Sequence, residues 1–217
     1  MRIAIVGADE VGRALGAALK ANGRFLLYGM PEPERSDECI ARTVGEALRS
    51  AEVVILATPW PMTEALVCEH AADLDDKIVI DATNPLNPAE TGLALGFLTS
   101  GVELLQSQAR HAKFFKTFNS AGAGVLAQPK FPEGKATMFV AGPHGSDKAV
   151  VMRLVADVGF EPVDAGELRA ARLLEPLAML MMQLALGKGD VALVMARRQT
   201  ERDYVIRGRA MAAREAD

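Results

Sequence analysis

The sequence has few of the residues that build disulfides, metal centres or nucleophilic triads. It contains two cysteines and three histidines in 217 residues, and the cysteines, Cys39 and Cys68, form no CxxC pair. We therefore expect neither a disulfide framework nor a zinc site. The histidines, His70, His111 and His144, also lack the spacing of metal ligands. Reduced thiols, a cytoplasmic location and no bound metal are the expectation.

Long apolar runs and an excess of one charge are also missing. The most apolar stretch, Leu173 to Leu186, contains Glu175, Pro176 and Gln183, and it is shorter than the roughly 20 residues that a membrane span needs. The opening residues, MRIAIVGA, do not resemble a signal peptide. A formal net charge of −4 with interspersed signs gives no reason to expect nucleic-acid or membrane binding. We therefore expect a small-molecule partner.

What the sequence has is a regular alternation of short apolar strands and longer amphipathic helices. Continuously apolar strands are typical of a sheet covered on both faces. The pattern predicts an α/β fold of the Rossmann type, with a doubly wound and mainly parallel sheet. The predicted strands are Ile3–Val6, Phe25–Tyr28, Val53–Leu56, Ile78–Ile80, Phe114–Phe118, Met138–Val140 and Glu161–Val163. The predicted helices are Val11–Ala21, Val44–Ser50, Thr63–Ala72, Val102–Gln108 and Asp147–Val158.

The pattern changes near residue 165, which divides the chain into residues 1–165 and a helical C-terminal portion, residues 166–217. This portion has a predicted helix over Glu167–Leu186, a second helix from Asp190, and a polar tail from Thr200. It is too small to bury its apolar faces alone, so we expect it to pack on the sheet or on a second copy in a homodimer. Its methionines are predicted to be core or interface residues: Met179, Met181, Met182 and Met195.

The turn after the first predicted strand carries a dinucleotide-binding motif with one altered position. In G-x-G-x-x-G the first glycine makes the turn, the second lets the backbone approach the pyrophosphate, and the third allows close packing of helix on strand. Gly7 and Gly12 occupy the first and third positions, whereas Asp9 stands at the second. Residues 1–165 are therefore predicted to form a dinucleotide-binding domain. The predicted cofactor contacts in this turn are Gly7, Ala8, Asp9, Glu10, Val11 and Gly12.

Asp9 leaves two interpretations open. A carboxylate 4 Å from a phosphate would repel it by roughly 4 kcal/mol at an effective dielectric constant near 20, unless the side chain turns outward or Arg13 neutralises it. The chain would then bind a dinucleotide with altered geometry. Aspartate is also a favoured N-cap, so it can accept the N–H groups that otherwise hold a phosphate. The chain would then be a Rossmann scaffold without a dinucleotide, acting as a binding or regulatory protein or as a non-redox enzyme.

The end of the second strand decides between NAD and NADP in this fold. An acidic residue there binds the ribose diol of NAD, whereas serine or threonine with arginine binds the 2′-phosphate of NADP. Met30 and Pro31 occupy this position. Nearby, Glu32 can reach a ribose diol, and Arg35 and Ser36 can reach a 2′-phosphate. Both cofactors stay open, with NADP slightly favoured, and Met30 and Arg35 are candidate contacts. Further candidates follow other strands, because ligands bind at the carboxyl ends of parallel strands. They are Ala57, Thr58, Pro59, Asn84, Pro85 and Asn119.

Several motifs together resemble those of the coenzyme F-420-dependent NADP reductases. Beyond the opening RIAIVGADEVGRALG they are Val79–Leu86, Lys116–Ser120, Asp157–Gly166 and Arg172–Ala178. Members of that family pass a hydride between NADPH and a deazaflavin. The resemblance therefore implies an NAD(P)-dependent oxidoreductase whose acceptor is a deazaflavin, a flavin or a small organic molecule. Because hydride transfer needs two stacked rings and little acid–base machinery, no catalytic residue is assigned.

Overall fold

The computed structural model describes residues 1–30, 40–89, 91–187 and 189–195. The described strands are β1 (Arg2–Val6), β2 (Phe25–Met30), β3 (Ala41–Thr43), β4 (Val53–Leu56), β5 (Ile78–Asp81), β6 (Lys113–Lys116), β7 (Lys130–Phe131), β8 (Gly134–Lys135), β9 (Thr137–Ala141) and β10 (Glu161–Gly166). The described α-helices are α1 (Glu10–Ala21), α2 (Val44–Ser50), α3 (Trp60–Glu69), α4 (Gly101–Gln108), α5 (Ala123–Ala127), α6 (Ser146–Val158) and α7 (Ala171–Ala185). Short 3-10 helices cover Ala71–Leu74 and Leu168–Ala170.

One large sheet organises the molecule, in the strand order β10-β9-β6-β5-β4-β1-β2-β3. The strands from β6 to β3 are parallel to one another. β9 and β10 are parallel to each other, but β9 pairs with β6 in the antiparallel sense. The carboxyl ends of β1, β4, β5 and β6 therefore meet at one edge of the sheet, where ligands bind in such folds.

Both faces of the sheet are buried, because successive side chains of one strand point to opposite sides. Ile3 and Ile5 of β1 enter one core, which α1, α5 and α6 cover. Ala4 and Val6 enter the other core, under α2, α3 and α4. This two-sided burial confirms the predicted doubly wound α/β fold of the Rossmann type.

The turn from β1 into α1 requires two of its glycines. Gly7 has a φ of 107°, and a Cβ there would lie 2.5 Å from the carbonyl oxygen of Ala57. A Cβ on Gly12 would overlap the carbonyl oxygen of Gly7. The first and third glycines of the motif therefore let α1 start close against β1 and β4.

Some element boundaries differ from those predicted. β6 ends at Lys116 because Phe118 has a φ of 65°, which no strand residue adopts. α3 begins at Trp60 rather than Thr63, since Pro61 fits the first turn of a helix. The strand β3 and the β7–β8 hairpin are two or three residues long, too short to produce a periodic pattern.

The C-terminal portion follows the prediction in its first half. α7 covers most of the predicted Glu167–Leu186 helix, after a 3-10 turn. The helix predicted from Asp190 is wrong over residues 190–195, which are not helical. Hydrogen bonds to β9 hold this segment instead, because the Thr137 amide donates to the Leu193 carbonyl at 2.6 Å and the Met195 amide to Thr137 Oγ1 at 3.0 Å. The predicted tail from Thr200 lies outside the described residues.

Membrane spans are not found in the part of the chain that the structure describes, where each helix is too short or too polar to cross a bilayer.

Candidate functional site

A cavity of about 730 Å³ lies where the carboxyl ends of β1, β4, β5 and β6 face helix α7. The loops after these strands form one wall, and Met181, Met182 and Ala185 of α7 line the cavity from the other side. This volume lies within the range of small-molecule and cofactor pockets. The cavity therefore joins the two parts of the chain that the sequence distinguishes.

The structure brings half of the predicted site residues to this cavity. The wall includes Asp9, Val11, Ala57, Thr58, Pro59, Asn84 and Asn119. Gly7, Ala8, Glu10 and Gly12 form the turn and the start of α1 beside it. Pro85 is buried behind the wall, Met30 packs against a core cluster, and neither lines the cavity. Arg35, like Pro31, Glu32, Ser36 and Cys39, lies outside the described residues.

Asp9 is the N-cap of α1, as its residue type predicts. The Gly12 amide donates to Asp9 Oδ1 at 3.2 Å. Within the described chain, the amides of Ala8, Asp9, Glu10 and Val11 have no protein acceptor. Arg13 stays beside the turn, because its Nε donates to the Ala8 carbonyl at 2.6 Å. The Asp9 side chain therefore accepts the hydrogen bond of one amide at this helix terminus. The neighbouring amides stay available to donate to a ligand.

The loop after β4 is fixed by a threonine pair and an aromatic ring. The hydroxyl oxygens of Thr58 and Thr63 lie 2.7 Å apart, and Thr63 Oγ1 also donates to the Thr58 carbonyl at 3.0 Å. Trp60 is buried, and its ring packs where a side chain on Gly101 would otherwise lie. Trp60 therefore connects the cavity wall to the start of α4.

Asn84 and Asn119 join the ends of β5 and β6. Asn119 Nδ2 donates to Asn84 Oδ1 at 3.0 Å and to the Leu174 carbonyl at 3.1 Å, while Asn84 Nδ2 donates to the Asn119 carbonyl at 2.8 Å. These bonds hold the two amide side chains in one orientation and attach them to α7. The loop motifs containing Asn84 and Asn119 therefore form one continuous polar part of the wall.

A buried ion cluster lies beneath this wall. Lys116 Nζ is 2.8 Å from Asp81 Oδ2 and 2.9 Å from Glu175 Oε1, and it donates to the Thr83 carbonyl at 2.6 Å. All three charged side chains are almost inaccessible to solvent. Burial alone would lower the pKa of Lys116, but the adjacent Asp81 and Glu175 carboxylates raise it overall. Lys116 therefore remains protonated.

Glu175 also reaches the N-terminus of α4. Its Oε2 accepts from the Gly101 amide at 3.0 Å and its Oε1 from the Val102 amide at 3.4 Å. A carboxylate is favourable there because the helix dipole is positive at its N-terminus. The amides and Lys116 together compensate the two buried carboxylates.

The sequence gives a weak signal of this cluster. Asp81 and Lys116 end apolar strands, and Glu175 interrupts the most apolar helix, so each is a charged residue in an otherwise buried context. All three belong to motifs that carry the family resemblance. Their contact depends on strand order and on the docking of α7, which periodicity does not determine.

The described residues of the cavity wall are suited mainly to binding and orientation. Its described lining is mainly apolar, with threonine, serine and asparagine side chains and the carboxylates of Asp9, Glu64 and Asp190. Lysine, histidine, tyrosine and cysteine are absent from that described lining. Groups of three or more metal-binding residue types are not found among the described residues. The arrangement therefore suits a reaction in which the protein positions two reactants and supplies no nucleophile.

Comparison with known proteins agrees with the motifs. Residues 2–85 match the family model described as NADP oxidoreductase, coenzyme F420-dependent. The F420-dependent NADP reductase of Methanothermobacter thermautotrophicus is 23% identical over 211 residues, covering 85% of this chain and 89% of that protein. A solved structure from Arthrobacter sp. FB24, assigned as an F420-dependent NADP reductase, has a TM-score of 0.83 and 27% identity, covering 91% of this chain and 100% of that chain.

A mammalian protein is also similar over most of this chain. The metalloreductase STEAP3 of Rattus norvegicus is 26% identical over 187 residues, which cover 83% of this chain and 37% of that protein. The chain thus spans little more than a third of the rat protein. The matches to the family model, which covers residues 2–85, and to the reductases confirm that this chain resembles the coenzyme F420-dependent NADP oxidoreductases.

Proposed function

We propose that the protein transfers a hydride between NADP(H) and an acceptor that binds in the cavity under α7. The observation that carries this proposal is the extent of the cavity, which reaches from Asp9 and Val11 at the start of α1 to Met181 and Met182 of α7. Such a cavity can hold a nicotinamide beside a second ring. The acceptor is a deazaflavin, a flavin or a small organic molecule.

The residues at the start of α1 fit a dinucleotide diphosphate. Gly7 and Gly12 permit the close turn, and the amides of Ala8, Asp9, Glu10 and Val11 can donate hydrogen bonds to an anion at the positive end of the helix dipole. Among the described residues, the Asp9 carboxylate accepts a hydrogen bond from the Gly12 amide alone. We infer that the diphosphate lies beside Asp9 rather than in its place.

The nicotinamide end belongs at the loops after β4, β5 and β6. NADPH supplies the hydride when it is bound, and the protein supplies orientation. We assign this role to Thr58, Asn84 and Asn119, because they line the cavity and because hydrogen bonds fix their side chains. The apolar wall of Met181, Met182 and Ala185 keeps water away from the reacting rings.

A second function follows from the same helix terminus. The hydrogen bond between the Gly12 amide and Asp9 Oδ1 favours a scaffold in which the carboxylate substitutes for the phosphate. Such a protein would use the cavity for binding, regulation or a non-redox reaction. The two functions differ in whether the wild-type chain binds a dinucleotide.

Calorimetric titration with NADPH and NADH separates these functions. We expect wild-type protein to bind NADPH at micromolar concentrations and more tightly than NADH. Asp9→Gly removes the charge and the cap, and Asp9→Asn removes the charge but keeps an acceptor for the Gly12 amide. Because Asp9 is exposed and partly screened, we expect Asp9→Gly to tighten NADPH binding by about tenfold, below the roughly thousandfold limit of an unscreened pair.

The Asp9 variants also identify the cause of any change. A gain in both variants assigns the effect to charge, whereas a gain in Asp9→Gly alone assigns it to the occupied Gly12 amide. Negligible affinity in wild type with a gain in Asp9→Gly would support the scaffold. Negligible affinity in all three proteins would exclude dinucleotide-dependent chemistry.

A further inference from the structure

Glu175 is a charged residue on the buried side of helix α7. The other buried residues of this helix are apolar, and Glu175 itself is 1% exposed. Its two carboxylate oxygens contact two other elements. Lys116 Nζ, at the end of β6, is 2.9 Å from Oε1, and the Gly101 amide, at the start of α4, donates to Oε2 at 3.0 Å. One side chain therefore joins α7 both to the sheet and to α4.

The contact with Lys116 leads to the cavity wall at Thr83. Lys116 Nζ donates to the Thr83 carbonyl at 2.6 Å and is 2.8 Å from Asp81 Oδ2. Asp81 Oδ1 in turn accepts from the Thr83 amide at 2.9 Å and from the Thr83 hydroxyl at 2.7 Å. The ion cluster thus holds the amide, the hydroxyl and the carbonyl of Thr83. Because Thr83 lines the cavity, the cluster fixes the wall at the end of β5.

The contact with Gly101 leads to the cavity wall at Trp60. A Cβ on Gly101 would lie 2.9 Å from the Trp60 ring and 3.2 Å from Pro85 Cβ, so the start of α4 packs directly on both side chains. Trp60 lines the cavity, and Pro85 follows the cavity residue Asn84. Glu175 holds the amide of Gly101 and therefore determines how closely α4 approaches the loops after β4 and β5.

Stability alone does not account for charges at this place. Removing carboxylates and an ammonium group from water is costly, and apolar replacement of a complete buried ion pair often leaves a protein equally stable. A fully satisfied network of buried polar groups, by contrast, makes the structure that it joins rigid and unique. The cluster around Glu175 is therefore better suited to fixing geometry than to adding stability.

We propose that Glu175 is a positioning residue, which holds Thr83 and Trp60 in place relative to α7 and thereby orients the nicotinamide towards the acceptor. The inference rests on the hydride transfer proposed above. Glu175 is not among the described residues that line the cavity, so it acts through the wall and not by contact with a reactant. A displacement of about 1 Å between reacting groups can slow a reaction about a hundredfold.

Matched substitutions separate positioning from the simple attachment of α7. Glu175→Gln removes a charge from the cluster and nearly keeps the shape of the side chain. Glu103→Gln is the same change in the partly exposed Arg172–Glu103 pair, which also joins α7 to α4. Asp81→Asn alters the cluster from β5 and keeps an oxygen that accepts from Thr83. This third variant decides the test if Glu175→Gln does not fold.

Trp60 reports the position of the wall, because it is the one tryptophan of the sequence and is buried. Acrylamide quenching of its fluorescence measures the access of solvent to the ring, and this measurement needs no NADPH. We expect Glu175→Gln to raise the quenching constant at least about twofold, since the start of α4 is no longer held against the ring. Glu103→Gln should leave the constant unchanged.

Energy transfer from Trp60 to the reduced nicotinamide reports the position of the bound ring, because its efficiency falls steeply with distance. At saturating NADPH, Glu175→Gln and Asp81→Asn should each lower this transfer by about twofold and leave the calorimetric Kd for NADPH within about twofold of wild type, because the diphosphate binds at the start of α1. Glu103→Gln should change neither quantity.

Three results would overturn the inference. They are unchanged quenching in Glu175→Gln, unchanged energy transfer in either cluster variant, and equal effects of Glu103→Gln and Glu175→Gln. Greater sensitivity of Glu175→Gln to urea without these optical changes would give Glu175 a structural role alone. Failure of wild-type protein to bind NADPH would instead defeat the proposed hydride transfer, and the orienting role with it. Quenching would then still show whether Glu175 holds Trp60 in place.

Discussion

Lys116 is a fully buried cation whose neutral replacement leaves two buried carboxylates behind. Asp81 and Glu175 would then lack their common partner inside the protein. We expect Lys116→Met to lower the free energy of unfolding by about 3–5 kcal/mol, since removing one member of a buried pair strands the other charge. Urea denaturation followed by circular dichroism measures this loss.

The same strand supplies the control for this variant. Lys113, at the other end of β6, pairs with Asp147 at 2.7 Å on the surface. Because solvent screens that pair, Lys113→Met should leave the urea midpoint nearly unchanged. Equal effects of the two variants would show that the buried cluster contributes no more than an exposed pair.

Residue types alone predict part of the site. Gly7 and Gly12 are recognisable because the turn has no space for side chains, and the capping role of Asp9 follows from its place before a helix. The ion cluster of Asp81, Lys116 and Glu175 is not predictable in this way, because 94 residues separate Asp81 from Glu175 in the numbering of the sequence. Only the sheet order and the position of α7 bring those charges together.

At the scale of elements, the junction between β1 and α1 has almost no free space. A Cβ on Gly12 would overlap the Gly7 carbonyl oxygen, so Gly12→Ala must displace the start of α1. We expect a loss of about 1–3 kcal/mol in stability, typical of an overpacked site, and a loss of NADPH affinity in calorimetry. Gly96→Ala, where no atom lies within 4 Å of the added Cβ, should change neither quantity.

Helix α7 is joined to α4 by an ion pair as well as by the Glu175 carboxylate. Arg172 donates from Nε and Nη2 to the two carboxylate oxygens of Glu103, both at 2.8 Å. Burial raises the pKa of Glu103, but hydrogen bonds from Arg172 and Ser100 outweigh it and hold this pKa below its usual value. A lowered pKa stabilises the fold above the unfolded-state pKa, and this contribution is lost as the pH falls through the folded-state pKa.

Acid titration tests this junction. Wild-type protein should lose stability as the pH falls below about 4.3, the ordinary pKa of a glutamate, and Glu103→Gln should remove part of that dependence. Urea midpoints between pH 3 and 7 measure both proteins. If the urea midpoints of the two proteins change with pH in parallel, Glu103 has the same pKa in the folded and unfolded chains, and the prediction is wrong.

Long periodic elements are predictable from the sequence, whereas short and tertiary ones are not. β4 and α2 have the predicted ends because apolar strands and capped helices are local features. The segment from Asp190 to Met195 has a helical residue pattern, yet its hydrogen bonds to Thr137 of β9 prevent a helix. Tertiary contacts override local propensity in such segments.

At the scale of the whole molecule, one face of α7 is attached to the sheet domain and the opposite face is exposed to solvent. Glu175 and Arg172 bind it to α4, and Met181 lines the cavity. The division into residues 1–165 and 166–217 stays a proposal. The buried ion cluster has members in both parts, since Asp81 and Lys116 precede residue 165 and Glu175 follows it. The proposed site likewise needs both parts, since its walls come from each.

The outer face of α7 predicts a homodimer. Leu173, Leu180 and Leu184 have exposed fractions of 68%, 51% and 42%. At 100° per residue they lie within about 40° on one side of the helix, away from the buried Ala178 and Glu175. Such an apolar stripe is costly in water and is typical of an interface. We expect a second copy of α7 to cover it.

Replacing this stripe with charges should separate the copies. The double variant Leu180→Glu and Leu184→Glu keeps the helix, because glutamate is a good helix former, and should sediment as a monomer in analytical ultracentrifugation where wild type sediments as a dimer. Met62→Glu changes an equally exposed apolar residue on α3 and should remain dimeric. A wild-type monomer at all concentrations, or a double variant that still dimerises, would show that this face of α7 is not the contact.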